Sequence, residues 1–243
     1  MDTLTDYLVE ARAAWLRGDW RASRAAYVRV DGLGPMPLDD LDAYASATWR
    51  LGYGQEAVRL AERVYDRLVR TDPGAAARKA ADVALEWRTR GHEVVARVWA
   101  DRARVLLVRE APGEVVGILA YLDASAAVTT IDREALGEAA NVLSHNVIQT
   151  SDVTLSVLGQ VVAGLVALVD ARTDEGVDLL DAVLLPVIDE RVPLEWAGDV
   201  YRTVLGPAAA LADAVHVAEW ATSLRSWCEM RGLAAELVIG PWR

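Results

Sequence analysis

The sequence predicts an all-α chain built from repeated helix pairs, and three observations carry that prediction. Apolar residues recur at spacings of three and four almost from end to end, whereas alternation with a period of two is missing over any useful length. Short turns interrupt the pattern, as in "RGDWRASRAAY", Arg17 to Tyr27, where Gly18 and Asp19 separate two helical stretches. Small residues also recur at equivalent places in successive segments, where one helix would pass close to the next.

The first unit, roughly 3–35, puts Tyr7, Ala11 and Ala14 on one face of its leading helix. Trp20, Ser23, Tyr27 and Val30 face inward from its second helix, with Trp20 as a core anchor, and Pro35 closes the unit. The second, 38–70, carries Ala45, Gly52, Ala57, Ala61 and Val64 at the same relative spacings. The third, 73–109, carries Ala84, Gly91, Ala96, Ala100 and Ala103. In the fourth, 112–149, Asp123 replaces the small residue and the turn has decayed to "TTID", but Ala135, Ala139 and Val142 continue the series. The fifth, 152–189, has Gly164, Gly176, Leu180 and Val183; the sixth, 193–231, has Tyr201, Leu205, Val217 and Ala221, leaving 232–243 as a tail. Ser23, Ala57, Ala96, Ala135, Gly176 and Val217 are taken as the equivalent crossing residue, with spacings of 34, 39, 39, 41 and 41.

Such units bury their apolar faces only against neighbours, so 1–243 is expected to be a single repeat domain. Two residues break local rules. Pro207 falls inside the leading helix of the last unit, where proline costs on the order of 3 kcal/mol or bends the helix. Gly176 costs roughly 1 kcal/mol against alanine in a helix. Its expected compensation is a close approach to the preceding helix at Gly164.

The layout resembles the tetratricopeptide repeat, whose period is about 34 residues. That resemblance implies an α-solenoid, a right-handed superhelix of about six helix-turn-helix repeats with a concave groove lined by the first helix of each. In this register the groove carries Arg12, Trp15, Asp42, Trp49, Arg50, Arg78 and Arg88 toward its N-terminal end. Toward the other end it carries Ala120, Ala124, Leu158, Val161, Leu165 and Ala209. Arginine beside tryptophan suits an acidic group or a peptide carboxylate, through bidentate hydrogen bonds and cation–π contact. The alternative is that these arginines pair with acids across neighbouring repeats.

A more specific likeness lies in Ala197, Gly198, Val200 and Tyr201, then Asp213, then Ala218, Glu219 and Trp220, then Trp227 and Cys228. With "DEGVDLLDAVL" and "RGDWRASRAAY", this pattern resembles the helical repeat region of actinobacterial regulators of the LuxR type. The resemblance spans nearly the whole chain and implies a regulatory, partner-sensing role. The chain departs from that family at Val215, His216 and Val217, where small residues are usual, and at Pro207. It ends at "GPWR", near where relatives continue toward a DNA-binding helix-turn-helix, so the likeness gives no support for transcription-factor activity.

Composition narrows the functions. A formal charge of −11 argues against direct contact with nucleic acid, which needs clustered cations. Lys79 is the only lysine and arginine supplies the other basic residues, a bias that suggests a GC-rich bacterial genome. Cys228 is the only cysteine, which excludes an intramolecular disulfide. The acidic start "MDTLTDYLVEARAAW" is unlike a signal peptide, and the longest apolar stretches are too short to span a membrane, so a cytoplasmic protein is expected. Arg-Gly-Asp at 17–19 is read as a helix turn and not as an adhesion site, because the turns at Gly52 and Gly91 lack it.

His92, His145 and His216 do not cluster, and the motifs of zinc proteases, serine hydrolases and phosphate loops are missing. A non-enzymatic protein without cofactor or metal is therefore expected, one that binds a peptide or partner protein in its groove. Two alternatives stay open: a small-molecule sensor with an apolar pocket in the C-terminal half, and an enzyme whose site would gather polar groups around His145 and Asn146. Val215, Trp220, Leu224 and Trp227 on the final helix predict self-association, unless the tail "LAAELVIGPWR" folds back over them.

Overall fold

The computed structural model describes residues 3–89, 91–107, 113–150 and 152–230, and every regular element among them is helical. Five helix pairs come first: α1 (Leu4–Leu16) with α2 (Trp20–Leu33), α3 (Leu38–Arg50) with α4 (Gly54–Thr71), α5 (Pro73–Thr89) with α6 (Glu93–Leu107), α7 (Gly113–Thr130) with α8 (Arg133–Thr150), and α9 (Val153–Val169) with α10 (Thr173–Ile188). Then come α11 (Leu194–Thr203), a π-helical turn (Val204–Ala208) and α12 (Ala214–Met230). Several starts are capped by side chains. Thr3 and Asp6 form a reciprocal capping box, and Asp19, Asp72, Asp132 and Asp152 accept the backbone N–H three residues on. Each such cap contributes about 1 kcal/mol.

One turn geometry recurs along the chain. Gly18, Gly52 and Gly91 have φ of 71°, 84° and 79°, and Ile131, Ala171 and Glu190 have φ of 54°, 61° and 58°. At each, that residue's N–H bonds the carbonyl three back and the next N–H bonds the carbonyl five back, as in Gly18 to Trp15 with Asp19 to Ala14, and Ile131 to Val128 with Asp132 to Ala127. This arrangement satisfies carbonyls that a helix end leaves open and requires a left-handed residue, which glycine provides without strain. The "TTID" segment therefore keeps the turn geometry and has lost only its glycine.

Each pair packs most closely within itself, and α2, α4 and α8 then contact the leading helix of the next pair. Small residues allow the crossings: Ala11, Ala14, Ser23 and Ala26 are fully buried in the first pair, and the Ser23 hydroxyl donates to the Ala11 carbonyl at 3.1 Å. In the fifth pair, a Cβ on Gly176 would lie 3.0 Å from the Gly164 carbonyl oxygen and 2.7 Å from Leu168. The approach expected between these two glycines is thus present.

Contacts are not confined to neighbours, because α11 packs against both α5 and α9. Its Asp199 is fully buried and takes the Arg88 guanidinium at 3.0 Å and the Tyr121 hydroxyl at 2.6 Å; Thr203 accepts from Arg88 at 3.0 Å. Arg202 donates to the Thr89 carbonyl at 2.8 Å. Pro207 ends the regular helix: α11 stops at Thr203 and the chain widens into the π turn that contains this proline. A wider turn accommodates the missing N–H and the ring that would clash in an α-helix.

Two packing expectations change. Trp20 is half-buried, not a core anchor, and its ring meets Trp15 edge-on at 4.9 Å. On α12, Trp220, Leu224 and Trp227 are buried, with the Trp220 indole donating to Asp181, so Val215 is the exposed member of the stripe that motivated self-association. The tail 232–243 lies outside the described residues.

Candidate ligand groove

Most of the arginines assigned to a groove have acidic partners. Arg12 makes two hydrogen bonds to Asp40, at 2.8 and 2.6 Å. Arg78 pairs with Asp82 and Glu114, and Lys79 pairs with Asp42. Arg88 is buried against Asp199. Burial alone would disfavour its charge, but Asp199 and then Tyr121 keep its pKa above the ordinary value. Burial, followed by the same carboxylate, pushes the Tyr121 phenol well above its usual range, so it remains a hydrogen-bond donor. For these residues the pairing alternative describes the structure.

Trp15, Trp49 and Arg50 are half-buried. The Arg50 guanidinium sits 4.6 Å from the Trp20 ring and 5.9 Å from Trp15. Trp20 and Arg50 line a cleft of about 380 Å³ whose other wall is Val187, Glu190, Val192, Pro193, Leu194 and Trp227. Residues of the first two units therefore face residues of the last two across it. In the expected apolar stretch, Ala124, Leu158, Val161 and Leu165 have no exposed surface and belong to the core. Ala209 is half-buried, just beyond the π turn. Ala120 is nearly buried but borders an open groove.

That groove runs over α7, between α6 and α8. Its larger part, about 630 Å³, has Leu119, Ala120 and Ala127 in its floor and Arg97, Arg104 and Glu138 on its rims. It continues through Arg97, Ala126 and Thr130 into a second cleft of about 530 Å³, walled by Arg88, Glu93, Arg202 and the π turn. Arg104 is held by Asp101 and Asp123 at 2.7 and 2.5 Å. Arg97 is exposed and makes no ion pair or hydrogen bond among the described residues. Arg97 and Arg104 lie on α6, the second helix of its pair, and so fall outside a groove confined to leading helices. Their seven-residue separation, which places them on one helix face, was the available signal.

His145 is exposed, and the Asn146 amide donates to the Val142 carbonyl. Among the described residues no three His, Cys, Asp or Glu side chains gather as metal ligands, and no helix is long and apolar enough to cross a membrane. Cys228 is buried. Comparison with protein-family models, curated proteins and solved structures gives no match.

Proposed function

We propose that the chain is a non-catalytic, cytoplasmic interaction module, a tetratricopeptide-like array that binds a peptide segment of a partner protein along the groove over α7. One observation carries this reading: the groove is open and continuous, and it presents the unpartnered Arg97 beside Arg104 on a chain of net charge −11. Arg104 is offset by Asp101 and Asp123, so Arg97 is the cation that can take an acidic group of the peptide and orient it by bidentate hydrogen bonds. The recurrent left-handed turn supports the repeat architecture, because one backbone device at spacings of 34, 39, 40 and 40 from Gly18 to Ala171 is what a duplicated unit leaves behind. The sensor alternative has less support, since Leu158, Val161 and Leu165 are fully buried in the core and present no surface to a ligand.

Selection of a displayed peptide library on the purified chain tests this. Acidic peptides should be enriched, and Arg97→Glu should weaken them by about tenfold or more without changing the melting temperature. No enrichment, or equal binding to the variant, would remove the proposal.

A further inference from the structure

Beside the π turn the groove deepens into the cleft of about 530 Å³, within the range of small-ligand sites. This inference rests on reading the groove as a binding surface, and the three walls of the cleft differ in chemistry. One wall donates. Arg97 is unpartnered among the described residues, and Arg202 is fixed by its Nη1 bond to the Thr89 carbonyl while its other N–H groups stay available. Arg88 lies at the back, but Asp199 cancels its charge.

The second wall accepts. Ser125, Thr129 and Thr130 each donate their hydroxyl hydrogen to a carbonyl of their own helix, at Tyr121, Ala126 and Ala127. What they can offer the cleft is therefore lone pairs. Glu93 adds an exposed carboxylate that supports the Arg88 charge from a distance but makes no hydrogen bond or ion pair among the described residues. The third wall, Leu205, Gly206 and Pro207 of the π turn, is apolar and presents little side-chain bulk.

A simple anion would engage the arginines and leave the acceptors unmatched; a simple cation would do the reverse. The group that satisfies all three walls carries a carboxylate, an adjacent N–H donor and a small aliphatic side chain. Among the described residues of the cleft, Arg97 and Arg202 against Glu93 leave one net positive charge, which one carboxylate neutralises. We propose that this cleft receives an α-amino-acid carboxyl unit, either the C-terminal residue of a peptide or a free amino acid. The carboxylate lies between Arg97 and Arg202, the N–H faces Glu93 and the hydroxyls, and the side chain rests on Leu205 and Pro207.

Calorimetry on the full chain with three probes tests it: a short peptide ending in valine with a free carboxylate, the same peptide as its C-terminal amide, and free valine. The free-acid peptide should bind about tenfold or more tightly than the amide, and Arg97→Ala should abolish that difference while leaving the melting temperature unchanged. Glu93→Gln should weaken free valine, whose ammonium group faces it, more than the peptide. Binding of valine with the same dependence on Arg97 would also support the site and identify a small molecule as the source. Equal binding of acid and amide, indifference to Arg97→Ala, or no binding of any probe at millimolar concentration would overturn it. If library-selected acidic peptides still bound while all three probes failed, the groove would stand and the cleft assignment alone would fall.

Discussion

The two halves of the chain use one turn geometry but join their units by different means. From α1 to α7 the units are bridged by ion pairs that reach from one to the next: Arg12 to Asp40, Arg24 to Glu56, Arg63 to Asp31, Lys79 to Asp42 and Arg78 to Glu114. Beyond α8 the described ion pairs are mostly local, as in Arg172 with Glu175 and His216 with Asp213, and the units meet through buried Val and Leu and the Gly164–Gly176 contact. The first kind of junction is weak per contact and tolerant of change. The second depends on close fit, so a single methyl matters.

Where the halves meet, at Arg88 and Asp199, neither kind applies, and the largest effect is expected there. Asp199→Ala leaves a guanidinium buried without its counter-charge and removes the acceptor of Tyr121, which should cost about 3–5 kcal/mol in chemical denaturation. Arg63→Ala, which removes a partly exposed pair, should cost under about 1 kcal/mol. Equal losses for the two variants would erase the contrast between buried closure and surface bridging.

The next effect lies at the glycine contact. Gly176→Ala places a methyl 2.7 Å from Leu168 and 3.0 Å from a backbone oxygen that cannot rotate away. Although alanine is the better helix former, overpacking should dominate, for a loss of about 1–3 kcal/mol measured by thermal or urea unfolding. A stabilised variant would mean that the C-terminal junctions are looser than their geometry indicates.

Smaller and opposite in sign is the change at the turn that lost its glycine. Ile131 is more than half exposed and holds φ of 54°, a region that disfavours β-branched residues. Ile131→Gly should therefore stabilise the fold by about 1 kcal/mol, whereas Gly52→Ala at the matching N-terminal turn should destabilise it by a similar amount. No difference in sign between these two would show that the turns are not equivalent.

The helical class was legible because period and small-residue spacing are local properties of sequence. Gly18, Gly52 and Gly91 marked their turns for the same reason, and Gly164 with Gly176 announced a close crossing. Ile131, Ala171 and Glu190 gave no such signal, since nothing in their identity asks for a left-handed backbone. The site was less legible for a physical reason. Whether an arginine is free or paired depends on what faces it, and Asp199 stands 111 residues from Arg88. Periodicity could place Arg88 on a face but could not show that α11 lies against that face. Trp20 was misplaced similarly: an aromatic at a core register becomes half-buried where it borders a cleft whose other wall comes from residues more than 160 positions away, Val187 to Leu194 and Trp227.

The smallest expected effect tests whether C-terminal ion pairs act only locally. Asp213 accepts the backbone N–H groups of Val215 and His216 at the start of α12 and meets the His216 ring at 2.5 Å. That contact, opposed by desolvation and aided by the charges of Asp213, Asp181 and Glu219, raises the His216 pKa above 6.5. Hydrogen bonds from His216 lower that of Asp213 below 3.8. A raised histidine stabilises fully below its unfolded pKa and loses that support as pH rises through the folded value; a lowered aspartate stabilises fully above its unfolded pKa and loses it as pH falls through the folded value. The pair is therefore fully effective between about 3.8 and 6.5 and weakens outside that window. NMR titration should place the His216 midpoint above 6.5 and return it toward that value in Asp213→Asn, whose amide oxygen still caps the helix. Asp213 is exposed and His216 partly so, so the amide protection factors at the first turn of α12 should follow the titration while global unfolding stays nearly constant. A midpoint at or below 6.5, or a global melting temperature that followed the titration, would show instead that this pair helps to join the last two units.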